Sequence, residues 1–163
     1  MVAGCVIAEE CALAVSADRT WKACCSGEAL LKACAGVIDA VDVEGDGGPG
    51  TVTTLKLSVA ASADAGGSLM RSRTVARDDT ARVLRSELLQ GGKVSGLLKS
   101  EVTEVKIEAA GEGGCVVRFS VEYERLDGGG ALGPEDQAAL AGGHLGLLRM
   151  VEAYLVANPT EYV

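Results

Sequence analysis

From Val37 to Tyr123 the chain alternates apolar and polar side chains two residues at a time, and after Pro134 the apolar positions change to helical spacing. Val41 and Val43 oppose Asp42 and Glu44, and Leu55, Leu57 and Val59 oppose Thr54, Lys56 and Ser58. Leu84, Ser86 and Leu88 stand against Arg85 and Glu87, and Val105 and Ile107 against Glu104, Lys106 and Glu108. Val117, Phe119, Val121 and Tyr123 complete the pattern against Arg118, Ser120, Glu122 and Glu124. Successive side chains of a strand point to opposite faces, so each segment predicts a strand with one dry face. The connections Ala63–Gly67, Gly91–Gly96, Gly111–Gly114 and Asp127–Gly133 have turn or loop chemistry, which makes successive strands antiparallel neighbours in a meander.

Before this run, Val2–Val15 is rich in small apolar residues and predicts a first strand. Ser16-Ala-Asp-Arg19 then carries an N-cap with a carboxylate in the first turn, which predicts a short helix over Ala17–Cys25 and, after Gly27, a second over Glu28–Ala35. Beyond Gly133-Pro134, the acids Glu135 and Asp136 suit a helix start. Leu140, His144, Leu147, Leu148, Val151 and Leu155 follow at helical spacing, and Asn158-Pro159 ends the stripe. A sheet with one dry face and a long helix with a matching stripe predict an α+β fold, a curved antiparallel sheet wrapped around the C-terminal helix. Its inward side chains are mostly small, so an internal cavity is expected; the alternative is a sheet closed down on a dry core.

Composition narrows the partners. The 163 residues make one domain over 1–163, with 15 basic against 23 acidic side chains and a formal charge of −8. One Phe, three Tyr and one Trp supply few stacking rings, so RNA or DNA is disfavoured as the main partner. The apolar runs are far short of the ~20 residues of a membrane span, and Glu9 and Glu10 occupy the start, where an export signal carries bases. A cytoplasmic monomer with no membrane contact is the expectation. Six cysteines at 5, 11, 24, 25, 34 and 115 form no C-x-x-C pair, and a single His cannot complete a metal set, so free thiols, no metal and no cofactor are predicted.

Three constellations invite chemistry. Gly45, Asp46, Gly47, Gly48, Pro49 and Gly50 resemble a phosphate-cradling loop, but no Gly-Lys-Ser/Thr ending follows and the next element is a strand, so a rigid hairpin loop is expected. His144 is the one unusual polar residue of the last helical stripe, either a satisfied core histidine or a ligand contact, with glycines at 142, 143 and 146 loosening the helix around it. Arg71, Arg73, Arg77, Arg82 and Arg85 crowd one hairpin, either as a solvated outer face or as a basic stripe for an anion. The parity of Arg82, shared with Leu84, turns it inward, where it is expected to clamp a carboxylate at the cavity mouth.

Gly45-Asp-Gly-Gly-Pro-Gly-Thr51, Ser16-Ala-Asp-Arg-Thr-Trp-Lys22 and Met150-Val-Glu-Ala-Tyr-Leu155 followed by Asn158-Pro159 resemble, in order and over nearly the whole chain, the birch-pollen-allergen family of plants, the class ten pathogenesis-related proteins. The resemblance implies a START-like helix-grip fold: seven strands gripping the last helix, two short helices below its end, and a large cavity for amphiphilic plant metabolites. It also implies cytosolic proteins that rise in defence and stress. A ribonuclease activity proposed for the family uses a Lys after the glycine loop, where this chain has Thr53 and Thr54, a Glu where it has Lys99, and a Glu and Tyr matching Glu152 and Tyr154. Glu152 and Tyr154 are two residues apart on a helix and point in nearly opposite directions. Some relatives condense an amine with an aldehyde on an interior Lys, whereas Lys106 and Arg118 face outward here. Hormone receptors of the wider fold carry gate and latch motifs that are not recognisable here.

Binding rather than chemistry is therefore the leading expectation, with weak ribonuclease activity at Glu152 and Tyr154 as runner-up and a ligand-dependent signalling or interaction protein behind it. Leu55, Leu57, Val59, Met70, Leu84, Leu88, Val105, Val117, Phe119 and Leu147 are expected to line the cavity. Ser86, Thr103, Tyr123, His144 and Arg82 are expected to orient the polar ends of a cytokinin, flavonoid or sterol-like guest.

Overall fold

The computed structural model describes residues 5–59, 69–91, 98–128 and 131–163. Its chain order is β1 (Cys5–Leu13), α1 (Ala17–Cys24), α2 (Gly27–Ala33), β2 (Ile38–Glu44), β3 (Val52–Leu57), β4 (Leu69–Asp78), β5 (Val83–Gln90), β6 (Leu98–Ala110), β7 (Gly114–Arg125) and α3 (Pro134–Ala157). The strands form one seven-stranded antiparallel sheet in the order β1-β7-β6-β5-β4-β3-β2. From β2 to β7 this is the expected meander. β1 departs from it, pairing with β7, because α1 and α2 carry the chain across from one edge of the sheet to the other.

The ends of the early elements have local causes. β1 stops at Leu13, short of the expected Val15, because the Ala14 amide donates to Glu152 Oε2 at 2.7 Å and Val15 packs with Val151 and Leu155 of α3. Ser16 Oγ accepts from the Arg19 amide and Ser26 Oγ from the Ala29 amide, so each short helix begins on a serine cap. The expected strand segment Val2–Gly4 and the loop Ala63–Gly67 lie outside the described residues, as do 92–96 and 129–130 of the other connections.

α3 is 24 residues long, about 36 Å at helical rise. Leu140, Ala141 and Leu148 pack into a core with Ile107, Val117, Phe119, Val121 and Tyr123. Val151 and Leu155 pack with Val15, Ala23 and Ala29, while Leu147 and Met150 lie against Cys34, Ile38 and Leu57. The helix carries no basic residue in its last turn, and Arg19 of α1 supplies the missing donors. Its Nη2 reaches the carbonyls of Leu155, Asn158 and Glu161 at 3.0, 2.8 and 3.0 Å.

Candidate functional site

Register decides which residues face α3. Leu84 lies opposite Val105 and Ser86 opposite Thr103, while Thr103, Val105 and Ile107 lie opposite Val121, Phe119 and Val117. Ile107, Val117, Phe119, Val121 and Tyr123 are buried beneath the helices. The inward residues of the neighbouring strands are only half-buried, namely Leu55, Met70, Leu84, Ser86, Leu88, Thr103 and Val105, and so is Leu147 of α3. The backbone of α3 approaches chiefly β1, α1 and α2, and stands off from the middle of the sheet. Leu57 is buried and joins the core.

Two expected lining residues are corrected. Val59 is 91% exposed because β3 ends at Leu57 and strand parity no longer applies. Arg82 sits in the turn before β5 with φ +54°, so the parity that aimed it inward is broken. Its Nη2 and Nε instead pair with Asp18 Oδ1 at 2.6 and 3.1 Å, tying the first turn of α1 to the β4–β5 turn. The pairing holds the Asp18 carboxyl below its ordinary range.

The arginine stripe carries little free charge. Arg73 pairs with Glu87 at 3.1 Å, and Arg85 with Glu104 and Glu122 at 3.0 Å each. A register shift between Thr74 and Ala76 turns Arg77 from the outer face to the side of Leu84. There it donates to Asp79 Oδ1 at 2.8 Å and to the Gly47 carbonyl at 3.2 Å, and its guanidinium lies 5.9 Å from the centre of the Trp21 ring. Trp21 Nε1 donates to the same Asp79 oxygen at 3.0 Å.

The glycine loop keeps its amides to itself. Gly47 N donates to Thr51 Oγ1 at 2.9 Å, Gly48 N to Asp46 Oδ1 at 2.9 Å, Gly50 N to Thr74 O at 2.8 Å and Thr51 N to Gly48 O at 3.1 Å. Gly45, Gly47 and Gly50 all have positive φ, and a Cβ on Gly45 would lie 2.7 Å from Thr51 Oγ1. Four of the donors a phosphate would need are thus already satisfied, and the loop serves as a rigid hairpin. Beside it, Cys24, Cys25, Leu30, Val43, Thr53 and Leu84 line a pocket of about 80 Å³ under the junction of α1 and α2. A larger groove of about 460 Å³ lies over the outer, convex face among Glu10, Glu104, Lys106 and Arg118, where ion pairs such as Arg118–Glu10 at 3.5 Å occupy the charges.

His144 faces the sheet. Its ring centroid is 5.5 Å from that of Phe119, tilted by 46°, and burial holds its pKa below the ordinary value, which favours the neutral imidazole. The Tyr123 hydroxyl accepts from the Leu132 amide at 2.9 Å and so secures the β7–α3 connection. Glu152 and Tyr154 are each taken up elsewhere. Glu152 holds the Ala14 amide and Arg149, the latter at 3.0 Å, and the Tyr154 hydroxyl donates to Glu161 Oε2 at 2.8 Å. Among the described cysteines, Cys11, Cys34 and Cys115 are buried and Cys24 and Cys25 half-buried, all as free thiols. Burial pushes Cys24 up to about 12 and Cys25 up to about 11, so both stay protonated.

One interior residue escaped the sequence analysis. Glu101 on β6 is 8% exposed and lies opposite Tyr123 in the register, on the same face as Thr103, Val105 and Ile107. Its Oε1 is enclosed without a hydrogen-bond partner, and burial pushes its pKa up to about 7. Extending the alternation of Val105 and Ile107 back by two steps places Glu101 on the same inner face.

No described helix is long and apolar enough to cross a membrane, and no described cluster of His, Cys, Asp or Glu is arranged to hold a metal ion.

Comparison with known proteins agrees with this architecture. Residues 5–152 match the family model described as polyketide cyclase / dehydrase and lipid transport. Pathogenesis-related protein 1 of Asparagus officinalis is 30% identical over 121 residues, 74% of this chain and 72% of its own length. Major pollen allergen Bet v 1-C of Betula pendula is 27% identical over 151 residues, 91% of each chain. Ribonuclease 1 of Panax ginseng is 32% identical over 117 residues, 71% of this chain and 72% of its own. The solved structure of Ara h 8.0201 superposes with a TM-score of 0.77 at 22% identity, covering 94% of this chain and 98% of that one. The grip of the seven-stranded sheet on α3, the glycine hairpin and these matches together place the chain in the polyketide cyclase and lipid transport family, among the pathogenesis-related and pollen-allergen proteins.

Proposed function

We propose that this protein binds small amphiphilic metabolites between the concave face of its sheet and α3, and acts by binding rather than by chemistry. The half-burial of inward Leu55, Met70, Leu84, Thr103, Val105 and Leu147, beside neighbours that are fully covered, carries the reading. A face that is apolar, inward and incompletely covered suits a guest with an aliphatic or aromatic body. Cytokinins, flavonoids and sterol-like compounds are the guests to try first, in a cytoplasmic, monomeric protein of defence and stress. The test is titration with an environment-sensitive hydrophobic dye, displacement by a panel of these compounds, and a thermal shift for each hit. Saturable uptake, specific displacement and a raised melting temperature support the reading. A folded sample without saturable uptake overturns it.

A weak ribonuclease is the second reading, and its support is the likeness to ribonuclease 1 of Panax ginseng. Glu152 and Tyr154 bind separate structural partners, so the pair has no shared reaction centre. Incubation with total RNA, beside Glu152→Ala and Tyr154→Ala, tests it. Cleavage that both substitutions abolish in folded protein would establish the activity.

A further inference from the structure

We propose that Glu101 is the polar anchor of the interior site and selects amphiphiles carrying a protonated amine over neutral or anionic ones of the same body. The proposal rests on the binding reading above. Glu101 stands on the concave face of β6, 8% exposed, with Oε1 enclosed and unpartnered among the described residues. Across the strand pair it lies opposite Tyr123, which belongs to one core cluster with Leu98, Val121, Leu132 and Leu140. The Tyr123 hydroxyl is held by the Leu132 amide.

A carboxyl enclosed in apolar surroundings lacks the bonds that water would give it, and a guest inherits that vacancy. The nearest cationic residue along β7, Arg125, lies opposite Leu98; its Nη2 donates to Asp127 Oδ2 at 2.8 Å, while its Nε is buried without a partner among the described residues. Elsewhere the guanidiniums of Arg77, Arg82 and Arg85 are matched by Asp79, Asp18 and Glu104. His144 of α3, which faces the sheet, is held toward its neutral form. An ammonium supplies both the donor and the charge that Glu101 lacks. A carboxylate guest brings a like charge, and an alcohol brings a weaker donor.

The test uses three probes with one chain length, decylamine, decanol and decanoate, displacing the neutral dye N-phenyl-1-naphthylamine at pH 8. Glu101→Gln and Glu101→Leu are run beside the unsubstituted protein, each checked for folding by circular dichroism. The unsubstituted protein is expected to take decylamine about tenfold or more tighter than decanol, the size of one charge-assisted hydrogen bond, with decanoate weakest. Both variants are expected to keep dye uptake and lose the preference for decylamine over decanol. Equal affinities in the unsubstituted protein, or a preference that survives both substitutions, overturns the anchor while leaving the binding reading intact. Dye uptake by none of the three proteins overturns both.

Discussion

Arg19 reaches from α1 to the carbonyl of Leu155 at the end of α3, 3.0 Å away, and so closes a helix terminus that has no basic residue of its own. The same guanidinium also holds Asn158 and Glu161, which joins the N-terminal and C-terminal parts of the fold. Arg19→Ala leaves three backbone carbonyls short of a charged donor, and a loss of about 2 kcal/mol is expected. Urea denaturation measures it; a midpoint unchanged from the parent would show that water replaces these bonds without loss.

Glu101 and His144 pull stability in opposite directions between pH 4 and 8. Glu101 has a folded pKa raised from 4.5 to about 7, so between those values the folded state keeps a proton that the unfolded state has lost. Stability from this group is full below about pH 4.5 and declines as pH rises to about 7, by at most about 3 kcal/mol. His144 has a folded pKa below 6.5, so its contribution is present above 6.5 and declines as pH falls through the folded value. In Glu101→Gln the melting temperature is expected to rise relative to the parent at pH 8 and to match it near pH 4.5. His144→Gln is expected to gain at low pH only. Thermal melts across pH 4–8 check both signs.

Gly45 and Gly113 both have positive φ but differ in their surroundings. A Cβ at Gly45 meets Thr51 Oγ1 at 2.7 Å, whereas at Gly113 nothing lies within 4 Å. Gly113→Ala is therefore expected to cost about 1 kcal/mol of backbone strain, and Gly45→Ala about 2 kcal/mol or more. Equal losses would show that the glycine hairpin yields as readily as an open turn.

Glu152 bonds the Ala14 amide at 2.7 Å, where β1 leaves the sheet. Glu152→Gln keeps one acceptor oxygen and is expected to be mild; Glu152→Ala frees the amide and is expected to cost about 1–2 kcal/mol. Any fall in RNA cleavage that tracks this loss of stability, and is reversed by cooling, belongs to folding rather than to catalysis.

Local chemistry was readable where a short segment decides its own structure. The alternation over Leu84–Leu88 and Val117–Tyr123 marked strands whose inner faces the register confirms. Ser16 marked the start of α1, and the Gly45–Gly50 run marked a hairpin loop. Parity failed where a strand ended or bulged: at Val59 beyond β3, at Arg82 in a turn, and at Arg77 after the register shift in β4. Such slips depend on partner strands, which a single segment does not contain. Glu101 was overlooked for a different reason, because a carboxylate in an alternating run reads as solvent-facing until its neighbours across the sheet are known.

By itself, the sequence determined the strand and helix types, the dry face of each strand and the family resemblance, because periodicity, caps and turn residues act over a few positions. The tertiary structure decided that β1 closes on β7, that Arg19 caps α3, and that Glu101 is enclosed without a partner. Those outcomes join residues far apart in the chain, and their energies, burial of charge and satisfaction of distant carbonyls, exist only once the sheet has wrapped the helix.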